Sequence, residues 1–446
     1  MPEPQAKSRT ELDDAVCRAG FAFALVCASC PVPARSGEHD ATIASADRLF
    51  EAGEFVQARK QFARIAADQP TNYPAILHLG RIALLSNQLD EAKSWFGKAM
   101  ALRRDEIDPR IMLGEMLCRR DDFASAAKML SGIDFSANQQ VLAQYPTLNV
   151  AKLQSFNGQT PYELRGSGQS VHVKFLRTDP LPLVSVRVNG GHEVTFFLDT
   201  GASEVMLDSE FARELGVPNF GSVQGTFSGG QQTKVQQGRI DSLTLGDWTV
   251  QNLPVVMLPL RQLSAGLDAK QIDGILGTTL FYHFLTTLDF RHGELVLRRK
   301  DMRSEQQFSV EPNKGVAVSF WIAGDHFMVS WGRVESLPPS LLFVDTGLAG
   351  AGVKLAESVI KQAGITLERD KATTGAGASG TLTTVPYVVH RLSFGKLLGE
   401  NVPGLFDGPF PWENTFGFHL AGMVGHDFFR PYAVTLDFTK MEIVLK

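Results

Sequence analysis

Two stretches decide the fold: Phe196-Phe197-Leu198-Asp199-Thr200-Gly201-Ala202 and Leu342-Phe343-Val344-Asp345-Thr346-Gly347-Leu348. Each is an apolar run ending in Asp-Thr-Gly, and the two aspartates stand 146 positions apart. Working outward, the same spacing returns. Leu245-Gly246 recurs as Phe394-Gly395 at 149 positions, Gly274-Ile-Leu-Gly277 as Gly422-Met-Val-Gly425 at 148, and Thr287-Leu-Asp-Phe290 as Thr435-Leu-Asp-Phe438 at 148. Four landmarks in one order at a nearly constant offset make residues 169–303 and 304–446 two copies of one fold.

Both copies read as β-rich. Segments such as VHVKF, LVSVRVNG, SLTLGDWTV and ELVLRR are short, rich in β-branched residues, and bounded by Gly, Pro, Asn or Asp. One helix per copy is expected, ending at Gly216 and at Gly364. An apolar strand running into Asp-Thr-Gly, followed about 75 residues later by two apolar residues and Gly277 or Gly425, resembles an aspartic protease. Each copy is similar to a retropepsin-type lobe, and two in tandem resemble the bilobal pepsin-like enzymes. The resemblance implies aspartic endopeptidase activity on a polypeptide substrate held extended between lobes and flap, with no cofactor and no metal. It assigns Asp199 and Asp345 as the catalytic pair and implies that Thr200 and Thr346 interlock across the lobe interface. Gly277 and Gly425 would let a strand pack behind each Asp loop. It also places a flap where Gly225 to Gly230 and Thr374 to Gly380 lie, including Phe227, Ser228, Gly229, Gly377 and Ala378.

The chemistry asks for this duplication. Two carboxyls sharing one proton can take a proton from water and polarise a carbonyl together. Like charges so close cannot both ionise, so the pair titrates as a unit. Gly201 and Gly347 are read as allowing the sharp turn that bares each carboxylate. Asp289 and Asp437 are duplicated too, but they sit in hairpin sequences and read as exposed carboxylates beside turns. Asp273 faces Ala421 in the second copy, which excludes it from a shared pair. Two departures from the family pattern stand out: bulky Leu348 follows the second Asp-Thr-Gly, and Phe227 rather than a tyrosine is the aromatic of the first flap. These departures keep open a catalytically silent peptide-binding module.

Upstream, another period appears. Ala58, Ala92 and Ala126 are 34 residues apart, as are Phe55, Leu89 and Phe123, and Phe62, Phe96 and Leu130. Apolar residues at i, i+3 and i+7 after each turn mark one face of a helix. Residues 41–133 therefore resemble three tetratricopeptide repeats, an all-α array able to dock a protein partner. Residues 134–168 read as a linker with one short helix. The expected whole is a multidomain chain: helical repeats followed by a mainly-β, double-lobed acid-protease fold.

The chain has 446 residues, 44% hydrophobic and 20% charged, with a net charge of −5 and no dense Lys/Arg block. That is an ordinary globular composition and argues against a nucleic-acid partner. Its four cysteines all lie in the first 118 residues, so neither a disulfide framework nor a thiolate metal site spans the β-rich part. Ala19 to Ser29 form an apolar run of 11, too short to span a membrane and the size of a signal-peptide core. Residues 1–40 are thus read as a leader of a periplasmic or cell-envelope bacterial protein, with Cys30 a candidate lipid-anchor site. Gly375-x-Gly377-x-x-Gly380 matches a dinucleotide fingerprint, but a strand-like sequence follows it where a helix is needed.

Overall fold

The computed structural model describes residues 42–135, 144–145, 147–227, 230–264, 266–267, 269–304, 308, 315–377 and 380–446. The leader with Cys30, and Ser228, Gly229 and Ala378 of the expected flaps, lie outside the described residues.

Six helices form three antiparallel pairs: α1 (Ile43–Glu51) with α2 (Phe55–Asp68), α3 (Tyr73–Leu85) with α4 (Leu89–Leu102), and α5 (Asp108–Cys118) with α6 (Phe123–Leu130). The period of 34 survives in the backbone, because each pair turns through a residue with positive φ: Gly53, Asn87 and Asp121. Glycine and Asn/Asp are the residues that tolerate that conformation. Ala58, Ala92 and Ala126 are fully buried, and the small side chain lets paired helices approach. No described helix is long and apolar enough to cross a membrane.

Each β-rich lobe is a six-stranded barrel. In the first lobe the ring runs Leu183–Val188, Glu193–Leu198, Gly274–Leu276, Val205–Asp208, Trp248–Leu258 and Gln232–Leu245, which pairs back to the first strand. In the second lobe it runs Phe327–Val334, Ser340–Val344, Leu420–Val424, Val353–Leu355, Leu397–Phe406 and Gly380–Phe394, and closes in the same way. A separate six-stranded sheet joins the lobes and takes strands from both. At its centre Phe284–Asp289 pairs with Ala433–Asp437, so Thr287 faces Thr435 with their hydroxyls 2.8 Å apart. These duplicated threonines mark the local twofold between the copies.

Residues 144–168 are more than a linker. They carry α7 (Val150–Gln154) and bury Tyr145, Leu148, Lys152, Leu153, Phe156 and Tyr162. Strand Glu163–Arg165 then pairs with Trp248–Leu258, so the first lobe's sheet begins before residue 169. The repeats also pack on the lobes. Phe50 and Phe55 stack edge-on to Phe418, Arg81 donates to the Phe416 carbonyl at 2.8 Å, and Arg119 donates to the Gly324 carbonyl at 2.6 Å. The repeats therefore meet the second lobe through α1, the start of α2, α3 and the residue after α5.

Candidate active site

The strand ending at Leu198 runs parallel to Gly274–Leu276, and the strand ending at Val344 runs parallel to Leu420–Val424. Each Asp amide donates to the neighbouring strand: Asp199 to the Leu276 carbonyl at 3.1 Å, and Asp345 to the Val424 carbonyl at 3.0 Å. Gly277 and Gly425 directly follow those strands. A Cβ on Gly277 would collide with the carbonyl oxygen of Glu204, and one on Gly425 would lie 2.6 Å from the Ala351 carbonyl oxygen. Only glycine lets the second strand pass so close behind the Asp loop.

The two Asp-Thr-Gly loops meet across the twofold. The Thr200 amide donates to Thr346 Oγ1 at 3.1 Å, and the Thr346 amide donates to Thr200 Oγ1 at 3.0 Å. Thr200 Oγ1 in turn donates to the Val344 carbonyl at 2.8 Å. Both threonines are fully buried, so this reciprocal lock works where an unmet hydrogen bond is expensive. Gly201 N–H donates to Asp199 Oδ1 at 2.7 Å, and Gly347 N–H donates to Asp345 Oδ1 at 2.9 Å. The two carboxyl groups come together across the twofold, each set against the other copy's loop glycine.

Gly201 and Gly347 earn their place differently from the sequence expectation. Neither has positive φ, so no turn demands glycine there. A Cβ on Gly201 would instead sit 2.6 Å from the Asp345 carboxyl, and one on Gly347 would strike the Asp199 carboxyl. Each glycine makes room for the opposite acid.

Electrostatics separate the two acids. Burial, then the neighbouring Asp345 charge, pushes Asp199 far above the ordinary carboxylate range. Burial raises Asp345 as well, but the neighbouring Asp199, the Gly347 amide, and the positive fields of Lys354 and His326 oppose that rise. Both acids are thus pushed above the ordinary carboxylate range, Asp199 the more strongly, which favours one proton held by the pair as a unit. Such a pair can accept a proton at one oxygen and donate one at another.

Above the dyad lies a cavity of about 370 Å³ lined by both acids, both loop glycines, Phe227, Leu348 and Gly377. Both copies supply a flap hairpin: Asn219–Thr226 with Gln232–Leu245, and Thr373–Gly377 with Gly380–Phe394. Gln262 Nε2 of the first lobe donates to the Gly377 carbonyl at 3.4 Å, tying the second flap across the cavity. Gly380 opens a strand, so the dinucleotide fingerprint lacks the helix it needs. Leu348 does not displace its loop. Its Cδ2 packs toward Gly425, 2.7 Å from where a Cβ there would sit, and Asp345 keeps its bond from Gly347.

The other duplicated acids lie elsewhere. Asp289 and Asp437 do end hairpin strands, where Asp437 accepts the amides of Thr439 and Lys440. Asp437 is buried, against the exposed carboxylate expected, because it closes the turn from inside. Asp273 binds Arg261 and Gln271. His426 is a core residue whose protonation burial disfavours, while His283 faces Asp121 of the repeats at 3.0 Å.

Sequence reading missed the polar groups around the dyad. Lys152 of α7 reaches Glu204 at 2.8 Å and Gln237 at 2.6 Å. Asp325 holds His326 Nδ1 at 2.5 Å and Thr147 Oγ1 at 2.7 Å, and Lys354 pairs with Asp407. A signal for one existed: Val353-Lys354-Leu355 stands where the first copy has Val205-Met206-Leu207. Among the described residues no cluster of three or more His, Cys, Asp or Glu could hold a metal ion.

Comparison with known proteins agrees with this geometry. Residues 184–280 match the aspartyl protease family, and residues 49–105 match tetratricopeptide repeats. The chain thus carries an aspartyl protease domain behind a tetratricopeptide-repeat domain. Among solved structures, it is similar to a retropepsin-like aspartic protease from Rickettsia conorii, at 18% identity over 31% of this chain and 95% of that one, TM-score 0.21. A mutant O-GlcNAc transferase from Thermobaculum terrenum matches at 16% identity over 25% of each chain, TM-score 0.21. No curated protein matches the chain.

Proposed function

We propose that this protein is an aspartic endopeptidase that cleaves peptide bonds with a water held between Asp199 and Asp345. The observation that carries the reading is the adjacent carboxyl pair, set by the mutual lock of Thr200 and Thr346 and lining a cavity between the two lobes. Asp345, the charged partner, takes a proton from the water as its oxygen attacks the scissile carbonyl. Asp199 gives its proton to the carbonyl oxygen, forming a neutral tetrahedral gem-diol. The proton on Asp345 then moves to the leaving nitrogen, a hydroxyl of the gem-diol returns its proton to Asp199, and the C–N bond breaks. Atoms and protons balance, and the dyad ends as it began.

Substrate would lie extended between the two flaps. The repeats, already packed against the second lobe, would brace the cleft and leave their outer surface for a protein partner. Export, read from the leader alone, belongs to the same proposal; a tagged full chain found wholly in the cytoplasm would contradict that part. The decisive assay offers a diverse peptide mixture across pH to the natural chain and to Asp199→Asn and Asp345→Asn. Cleavage by the natural chain alone is expected, with at least about a hundredfold loss in each variant. Cleavage that survives in both variants, or peptide binding without any cleavage, would overturn the reading.

A further inference from the structure

The two walls of the cavity are built from equivalent positions. Leu181 of the first lobe answers to Phe327 of the second, Val256 to Leu405, and Ile275 to Met423, and all six line the cavity. These pairs stay apolar across the twofold. Two others do not. Met206 pairs with Ile275, and Lys354 with Met423, which makes Lys354 the counterpart of Met206. Val205 is level with Val255, and Val353 with Gly404; continuing each strand makes Asp407 the counterpart of Leu258. Met206, Leu258, Lys354 and Asp407 all line the cavity. The apolar positions Met206 and Leu258, in one hydrophobic cluster of the first lobe, thus answer to a Lys–Asp ion pair in the second.

The ion pair is well buried: the side chains of Lys354 and Asp407 are 1% and 6% exposed. Burying a salt bridge costs desolvation that an apolar pair avoids, and the first lobe shows that the fold accepts the apolar version. Fold stability therefore does not explain it. The same cavity is also lined by His326, its Nδ1 held by Asp325.

We propose that the Lys354–Asp407 pair is the specificity element of a polar subsite on the second-lobe wall, which takes an uncharged carboxamide side chain, while the Met206–Leu258 wall takes an apolar one. This rests on the peptide-cleaving reading and deepens it. The choice of a carboxamide follows from hydrogen-bond chemistry. An ammonium only donates and a carboxylate only accepts, so their pair shows a ligand both kinds of partner. Asn and Gln side chains carry both in one neutral group. A Glu side chain would bring a second uncompensated charge beside Asp407 and the dyad. A Leu side chain would cover the ion pair with carbon and return nothing for the water it displaces.

The test reads binding, so it does not depend on cleavage. Peptides with a reduced, uncleavable central bond carry Phe on one side and Gln, Glu, Leu or Lys on the other, in both orders. Their affinities are measured by calorimetry for the natural full-length chain and for Lys354→Met/Asp407→Leu, which copies the first-lobe pair. The natural chain should bind the Gln peptide at least about tenfold more tightly than the Leu and Glu peptides in one order. In the double variant the Gln advantage should vanish and Leu should lead. Equal or better binding of Leu or Glu by the natural chain in both orders would overturn the proposal, as would binding of none of the peptides. That result needs no variant, so a variant that fails to fold cannot shield the idea. A natural chain that prefers Gln yet never cuts the ordinary peptide would contradict the hydrolysis alone. One that cuts with no Gln preference would contradict this subsite alone.

Discussion

At Gly201 and Gly347 the difference between hydrogen and methyl decides whether two acids can meet. A Cβ on Gly201 would lie 2.6 Å from the Asp345 carboxyl, with no flexible chain end to yield. Gly201→Ala should therefore push the carboxyls apart and lower kcat/KM by at least about a hundredfold. Because φ at this position is one any residue adopts, the melting temperature should fall by only a few degrees, about what a kcal/mol shifts it. Steady-state kinetics beside a thermal melt checks this; unchanged activity would mean that the carboxyls need not touch. The sequence exposed both acids because its duplication is read in residue types. It did not expose why glycine follows, since sharp turns and close contacts leave the same letter. Lys354 and Asp407 were hidden for another reason: their role exists only as a difference between copies, visible once strand register aligns them with Met206 and Leu258.

Among elements, α7 changes most between sequence and structure. Weak periodicity marked residues 134–168 as a linker, because five helical residues and a three-residue strand are too short to show a period. Yet Lys152 on α7 is 1% exposed and clasps Glu204, whose carbonyl sits behind the first Asp loop against Gly277. Burial already pushes the Glu204 carboxyl up, and Lys152 is what opposes it. Lys152→Met should cost about 3–5 kcal/mol, since it strands a buried charge. Adding Glu204→Leu should recover much of that loss in denaturant titrations. Equal stability of single mutant and natural chain would show that α7 is a tether and not a clasp. By contrast, hairpins do stand where order along the chain puts the expected flaps, with Phe227 and Gly377 both at the cavity.

For the whole molecule, the helical period and the long duplication were both legible, but their contact was not. Surfaces that meet across hundreds of residues carry no periodic mark. The junction runs through α5, where Arg119 binds Glu115 at 2.8 Å and reaches the Gly324 carbonyl, next to the Asp325–His326 pair on the cavity wall. Burial lifts Glu115 to about 7 despite Arg119. A carboxyl whose folded pKa is raised binds more protons folded than unfolded, so its effect is favourable at low pH and is lost as pH rises through about 7. Glu115→Gln should therefore flatten the fall in melting temperature between pH 5 and pH 8. A parallel decline in both proteins would remove Glu115 from that balance. In the proposed mechanism all scales meet in one shared proton. Isotope-edited infrared spectroscopy, subtracting an Asp199→Asn/Asp345→Asn spectrum from that of the natural chain, reads it directly. The expected result is a protonated carboxyl band that persists at pH 6, about two units above the ordinary aspartate value of about 3.9. A band that titrates away near pH 4 would show two independent carboxylates and contradict the account.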